Sequence, residues 1–146
     1  MVTKEEANAR YTAYAERYVT QLTIESRVLI DIANKNILPS AVKYANIIAE
    51  NVERTAKFGK EFVTGQEDLL KSLSADINEI SKNIISLEKG IELVKAEEDL
   101  AKQTDLAADK LVLGLKSLRK PCDEVEKIID SSIWTLPTYS ELLFKL

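Results

Sequence analysis

The segment LKSLSADINEISKNIISLEKGIELV, residues 70–94, carries apolar side chains at Leu70, Leu73, Ile77, Ile80, Ile84, Leu87, Ile91 and Val94. The steps alternate strictly between three and four residues. A helix presents positions three and four apart on one face, so these residues form a seam for packing against another long helix, and a 3.5-residue period implies a left-handed supercoil. A half-buried strand would need alternation at every second residue, which is absent here. The expected fold class is therefore all-α, an elongated antiparallel bundle of three to four long helices, with the first helix of the chain as the nearest antiparallel partner.

Composition agrees with this reading. A chain of 146 residues fits one domain. Hydrophobic residues at 45% and charged residues at 30%, with only four Gly and three Pro, give the balance of long amphipathic helices and argue against disorder. Twenty basic against 24 acidic residues leave a net charge of −4, without the positive footprint of a phosphate-binding surface, so nucleic acid is not an expected partner. No run of 18 apolar residues and no signal-type apolar start occur, so no membrane association is expected and the cytoplasm is the default location. The absence of histidine removes ferritin-like di-metal sites, most zinc sites and Ser/Cys–His triads together. Cys122 stands alone in an apolar helical pattern, which fits a small buried hydrophobe better than a reactive thiol. No residue is assigned a catalytic, cofactor-binding or metal-binding role.

Thr3-x-x-Glu6 has the spacing of a capping box, which starts a helix near Lys4. Tyr11, Tyr14, Tyr18, Leu22, Leu29, Ile32 and Ala33 then follow helical spacing, and the tyrosines are expected in the core with their hydroxyls at its rim. Pro39 interrupts this first arm without shifting its phase, as a kink or as the first turn of a second helix, with the kink or a short break at Leu38 favoured. The main reversal is expected between Phe58 and Gly65, with Phe58 and Phe62 plugging the end of the bundle and Thr64-x-x-Glu67 capping the next helix. A phosphate-cradling loop would need more glycines, a Lys-Ser/Thr pair and a preceding strand.

The seam fades over residues 97–105, where a break is expected, and Glu97, Glu98 and Asp99 read as a solvated face rather than a cation cage. Periodicity resumes at Leu111, Leu115, Leu118, Cys122, Val125 and Ile129, with Pro121 either a kink or a fresh helix start. The last stretch crowds Trp134, Leu136, Pro137, Tyr139, Leu143 and Phe144 beside a proline turn, and Thr138-x-x-Glu141 would cap a short last helix. It is expected to fold back on the bundle as a short C-terminal helical hook. In outline, the single helical domain 1–146 comprises a first arm 1–57 kinked at Pro39, a reversal 58–66, a second arm 67–103, a third arm 105–130 and the hook 131–146.

The chain resembles the C-terminal helical segment of type III glutamine synthetases, the bacterial large-subunit form. The resemblance is carried by Arg10-Tyr11 and Arg17-Tyr18, by Ile37-Leu38-Pro39 with Lys43-Tyr44, by Leu118-Arg119 with Asp123-Glu124-Val125-Glu126, and above all by Trp134-x-Leu136-Pro137-x-Tyr139-x-x-Leu142-Leu143-Phe144. It departs from the family pattern at Thr135, where Pro usually follows the Trp, and at Pro121. The resemblance implies a non-catalytic structural or assembly segment excised from a larger ATP-dependent enzyme that condenses glutamate with ammonia in a ring-shaped homo-oligomer. It further implies that ATP and divalent metal sit in a preceding catalytic core, and that the segment's partners are that core and neighbouring subunits. The competing reading is a free-standing coiled-coil interaction or scaffold protein with no enzymatic activity.

Overall fold

The computed structural model describes residues 3–137. The expected cap at Thr138 and Glu141 and the hook residues Tyr139, Leu143 and Phe144 lie outside that range. Within it the fold is all-α, with no strand among the described residues.

Helix α1, Lys4–Ile32, begins with the capping box read from the sequence. The Thr3 backbone N–H donates to Glu6 Oε2 at 3.0 Å and the Glu6 N–H donates to Thr3 Oγ1 at 3.2 Å, so two end donors are satisfied reciprocally. Helical backbone continues without a break through a π-helical stretch, Ala33–Ile37, into α2, Leu38–Thr55. Pro39 lies in the first turn of α2, one of the two positions expected for it, and helical backbone runs on across it. Proline cannot donate to the carbonyl four residues back and its ring crowds that carbonyl, and the wider π turn just before it, with Leu38 N–H donating to the Ala33 carbonyl, accommodates both.

The reversal follows as two short 3₁₀ turns, Ala56–Phe58 and Lys60–Phe62, hinged on Gly59. Its φ of 138° is closed to residues with a Cβ, which explains the glycine at this point. Helix α3, Thr64–Ala96, then runs back antiparallel to α2, with the Asn51 amide donating to Gln66 Oε1 across the turn. Thr64 does not form the expected capping box, because its hydroxyl donates to the Lys60 carbonyl at 2.9 Å and the Glu67 N–H goes to the Val63 carbonyl.

The break after α3 is confined to residues 97–99. Asp99 caps α4, Leu100–Leu106, by accepting the Lys102 N–H at 3.0 Å. Glu97, Glu98 and Asp99 therefore form the connecting turn and cap, not one face of a helix. A second π-helical stretch, Ala107–Val112, leads into α5, Leu113–Ile128, which carries Pro121 in its interior.

The fold divides into two compact units that share these helices. One contains residues up to Asp31 with Lys82–Arg119, and its core is formed by Ala15, Val19, Leu22, Ile30, Ile84, Leu87, Ile91, Val94, Ala107, Leu111 and Leu118. Here α3 and the α4–α5 run are antiparallel, tied by Gln103 Nε2 donating to the Val94 carbonyl and Asn83 Nδ2 to the Ser117 carbonyl. Two glycines let them approach closely: a Cβ on Gly90 would stand 3.2 Å from Lys110 Cβ, and one on Gly114 would stand 2.7 Å from Leu87 Cδ1. The other unit contains Ile32–Ser81 and the segment from Lys120 onward, with Ala33, Ile37, Ala41, Ile48, Val63, Leu73, Ile80, Pro121, Cys122, Val125 and Ile129 buried. All eight seam residues of α3 are buried or half-buried, Leu70 and Ile77 being the half-buried pair.

Candidate interaction surface

Two sets of aromatic side chains lie where the sequence pattern does not lead. Tyr11, Tyr14 and Tyr18, expected in the core, are 56%, 71% and 39% exposed. The buried stripe of α1 is instead Ala15, Val19, Leu22, Ser26 and Ile30, whose small and medium side chains allow close packing. Tyrosine and that stripe both follow three-four spacing, so period alone assigns either to the core, and the smaller side chains occupy the crowded face. The distinguishing signal was present in the sequence: Arg10 and Arg17 interleave with the tyrosines, and Arg belongs on a solvated or interface face.

Phe58 and Phe62 likewise do not plug a bundle end. They are 68% and 59% exposed, with Lys57 Nζ 5.2 Å from the Phe58 ring centroid, while Val63 takes the buried position at the turn. Beyond these, Ile24 and Val28 continue the exposed face of α1. A shallow groove beside them is lined by Arg17, Gln21, Ile24 and Glu25 among others. Exposed Tyr and Arg on one helix face have the composition that concentrates binding energy at protein interfaces.

Residues 130–135, the described start of the expected hook, are held within their own unit. Ser132 N–H donates to Asp130 Oδ1 at 2.7 Å, and the N–H groups of Ile133 and Trp134 both go to the Asp130 carbonyl. Hydrogen bonds from Ser132 hold the Asp130 carboxyl below its ordinary range, since these donors favour the charged form. Ser40 donates to the Ile133 carbonyl at 3.3 Å and Asn36 to Thr135 Oγ1 at 3.2 Å, so the segment after α5 rests on the π turn and the start of α2. Trp134 and Leu136 are half-buried and Pro137 is exposed. The Trp134 indole N–H is buried and has no acceptor among the described residues.

Reactive chemistry is sparse. Burial pushes the Cys122 thiol up to about 11, helped by the neighbouring Asp123 charge, so at neutral pH it stays protonated. Among the described residues no three His, Cys, Asp or Glu side chains converge on a point that could hold a metal ion. No helix among them is long and apolar enough to cross a membrane.

Comparison with known proteins gives this helical architecture its family. Residues 1–56, which include the exposed tyrosine face, match the glutamine synthetase C-terminal domain. The chain belongs with the glutamine synthetase C-terminal domains. It is 30% identical to a glutamine synthetase of Bacteroides fragilis (strain YCH46) over 95% of its length, and 28% identical to one from Butyrivibrio fibrisolvens over 99%. A type-3 glutamine synthetase of Dictyostelium discoideum is 25% identical over 95% of the chain. In each case the chain spans only about a fifth of the relative, 20%, 21% and 20% respectively.

Proposed function

We propose that the chain is a non-catalytic structural and assembly domain of a type III glutamine synthetase. The parent enzyme condenses glutamate with ammonia at the expense of ATP, in the cytoplasm. The observation that carries this reading is the exposed Tyr11–Tyr14–Tyr18 face, with Arg10 and Arg17, inside the residues that match the family. Such a face is costly to leave in water and suits a protein neighbour. Its neighbours are the catalytic core of the same enzyme and adjoining subunits of a homo-oligomer. By the family resemblance, the ATP and divalent metal of the parent belong to its catalytic core.

The test compares a full-length enzyme that carries this segment with the same enzyme lacking it, by light scattering for assembly and γ-glutamyl hydroxamate formation for activity. Removal should lower the assembled mass, and the 146-residue chain alone should form no hydroxamate. Product from the isolated chain above a blank, or unchanged assembly of the shortened enzyme, overturns the proposal.

A further inference from the structure

A groove of about 300 Å³ runs between α3 and the π-helical stretch with the start of α5, wholly inside the unit that contains Lys82–Arg119. That volume is at the lower end of the small-molecule range of about 300–1,000 Å³. Gly90 and Gly114 both line it, and each leaves a hollow where a side chain would stand. Leu93 and Leu113, both exposed, give it apolar walls.

The polar lining sorts into two ends. At one, Asn83 Nδ2 donates to the Ser117 carbonyl across the helices at 2.9 Å, and Ser86 stands about one turn further along α3. The Ser86 and Ser117 hydroxyls donate to no carbonyl among the described residues, unlike Ser81, whose Oγ is engaged by the Ile77 carbonyl at 2.9 Å. At the other end Lys89 and Lys110 flank Gly90, with Lys110 Cβ only 3.2 Å from where a Gly90 Cβ would be. Lys110 Nζ is 2.8 Å from Asp109 Oδ2, whereas no ion pair among the described residues uses Lys89. Two ammonium groups against one carboxylate leave this end positive. Lys110 also stands on the π-helical stretch Ala107–Val112, and such local widenings of a helix occur frequently at functional sites.

We infer that this groove binds a small hydroxylated organic anion, its carboxylate or phosphate at Lys89 and Lys110 and its hydroxyl groups at Asn83, Ser86 and Ser117. An anion is favoured over a cation because the one carboxylate of the lining already faces Lys110, while Lys89 has its full charge to offer. From Asn83 to Lys89 helix α3 rises about 9 Å at 1.5 Å per residue, which suits a sugar acid or a small phosphate ester and is too short for a nucleotide. With its groups open to water, the site holds such an anion at millimolar rather than micromolar concentration.

The site needs neither a catalytic core nor a neighbouring subunit, so it and the assembly role proposed above fail separately. The experiment follows the backbone amide resonances of the 146-residue chain during titration with glycerol 3-phosphate and with gluconate, and with glycerol and inorganic phosphate in parallel. At least one of the two hydroxylated anions should give saturating shifts confined to residues 83–93 and 109–117, inorganic phosphate should bind more weakly, and glycerol should give none. Which of the two binds tells a phosphate ligand from a carboxylate one. Lys89→Gln should weaken binding by about three- to five-fold, whereas Lys95→Gln, exposed further along α3 and outside the groove, should leave it unchanged. Shifts with neither anion, shifts that never saturate, or equal losses from Lys89→Gln and Lys95→Gln overturn the inference. Inorganic phosphate binding as tightly as either hydroxylated anion would remove the role given to Asn83, Ser86 and Ser117 and overturn it equally.

Discussion

Pro121 sits in the middle of α5, where a proline leaves the carbonyl four residues earlier without its donor. That carbonyl belongs to Ser117, and Asn83 on α3 supplies the missing hydrogen bond, Nδ2 to O at 2.9 Å. If the amide substitutes for the absent backbone donor, the two residues are energetically coupled. The net worth of such a bond is about 0.5–1.5 kcal/mol, and Ser117 is exposed, so Asn83→Ala should cost the lower half of that range, about 0.5–1 kcal/mol. Pro121→Ala alone is a poor test. It removes a helix-interior proline, a gain of up to about 3 kcal/mol, but also deletes a fully buried ring, a loss of about 2 kcal/mol or more, and the sum has no secure sign. The double-mutant cycle isolates the coupling. In the Pro121→Ala variant the backbone N–H returns to Ser117, so Asn83→Ala should then cost close to nothing. Followed by circular dichroism in urea, with a slope of about 2 kcal/mol per molar, the Asn83→Ala shift should be about 0.25–0.5 M in the unaltered chain and near zero in the Pro121→Ala background. Equal shifts in both would falsify the compensation and reduce Asn83–Ser117 to an incidental surface bond.

Two glycines in helices should respond in opposite directions to the same change. A Cβ on Gly65 meets nothing within 4 Å, so Gly65→Ala should stabilise by about 0.5–1 kcal/mol, whereas at Gly114 it would press on Leu87, which is fully buried and cannot swing away. Overpacking of about 1–3 kcal/mol there offsets or outweighs the helix-propensity gain, and a thermal melt in which Gly114→Ala matched Gly65→Ala would show that the α3–α5 approach is not tight. The Asp76 carboxyl is raised from its ordinary value of 3.8, first by desolvation and then by the charges of Glu124 and Glu79. The folded state therefore holds that proton more tightly than the unfolded chain, native stability falls as pH rises through the window above 3.8, and the penalty is fully present at neutral pH. Asp76→Asn should raise the urea midpoint at pH 7, with the advantage shrinking as the pH falls towards 3.8, and an advantage that grew on acidification would contradict the assignment.

Helix existence was legible and helix faces were not, for a physical reason visible at α1. Leu70 to Val94 offers one apolar stripe against polar neighbours, so period and face coincide and the buried set follows directly from the sequence. On α1 two stripes have the same period. Tyrosine carries the larger hydrophobic surface, which places it inside on transfer energy alone, yet the buried face is filled by Ala15, Val19, Leu22 and Ser26. Close helix approach selects small volume there, and volume is set by the partner, which no single segment reveals. The prolines show the same limit. Local rules leave a kink or a first-turn position open at Pro39 and a kink or a fresh start at Pro121; the structure puts Pro39 in the first turn of α2, just after a π turn, and Pro121 inside α5, where the Asn83 amide reaches the carbonyl that the proline orphans. Residues that look misplaced by local rules on this chain are those whose partners lie on another helix. The tyrosine face of α1 has no such partner among the described residues, and that is the physical ground for seeking its partner beyond them.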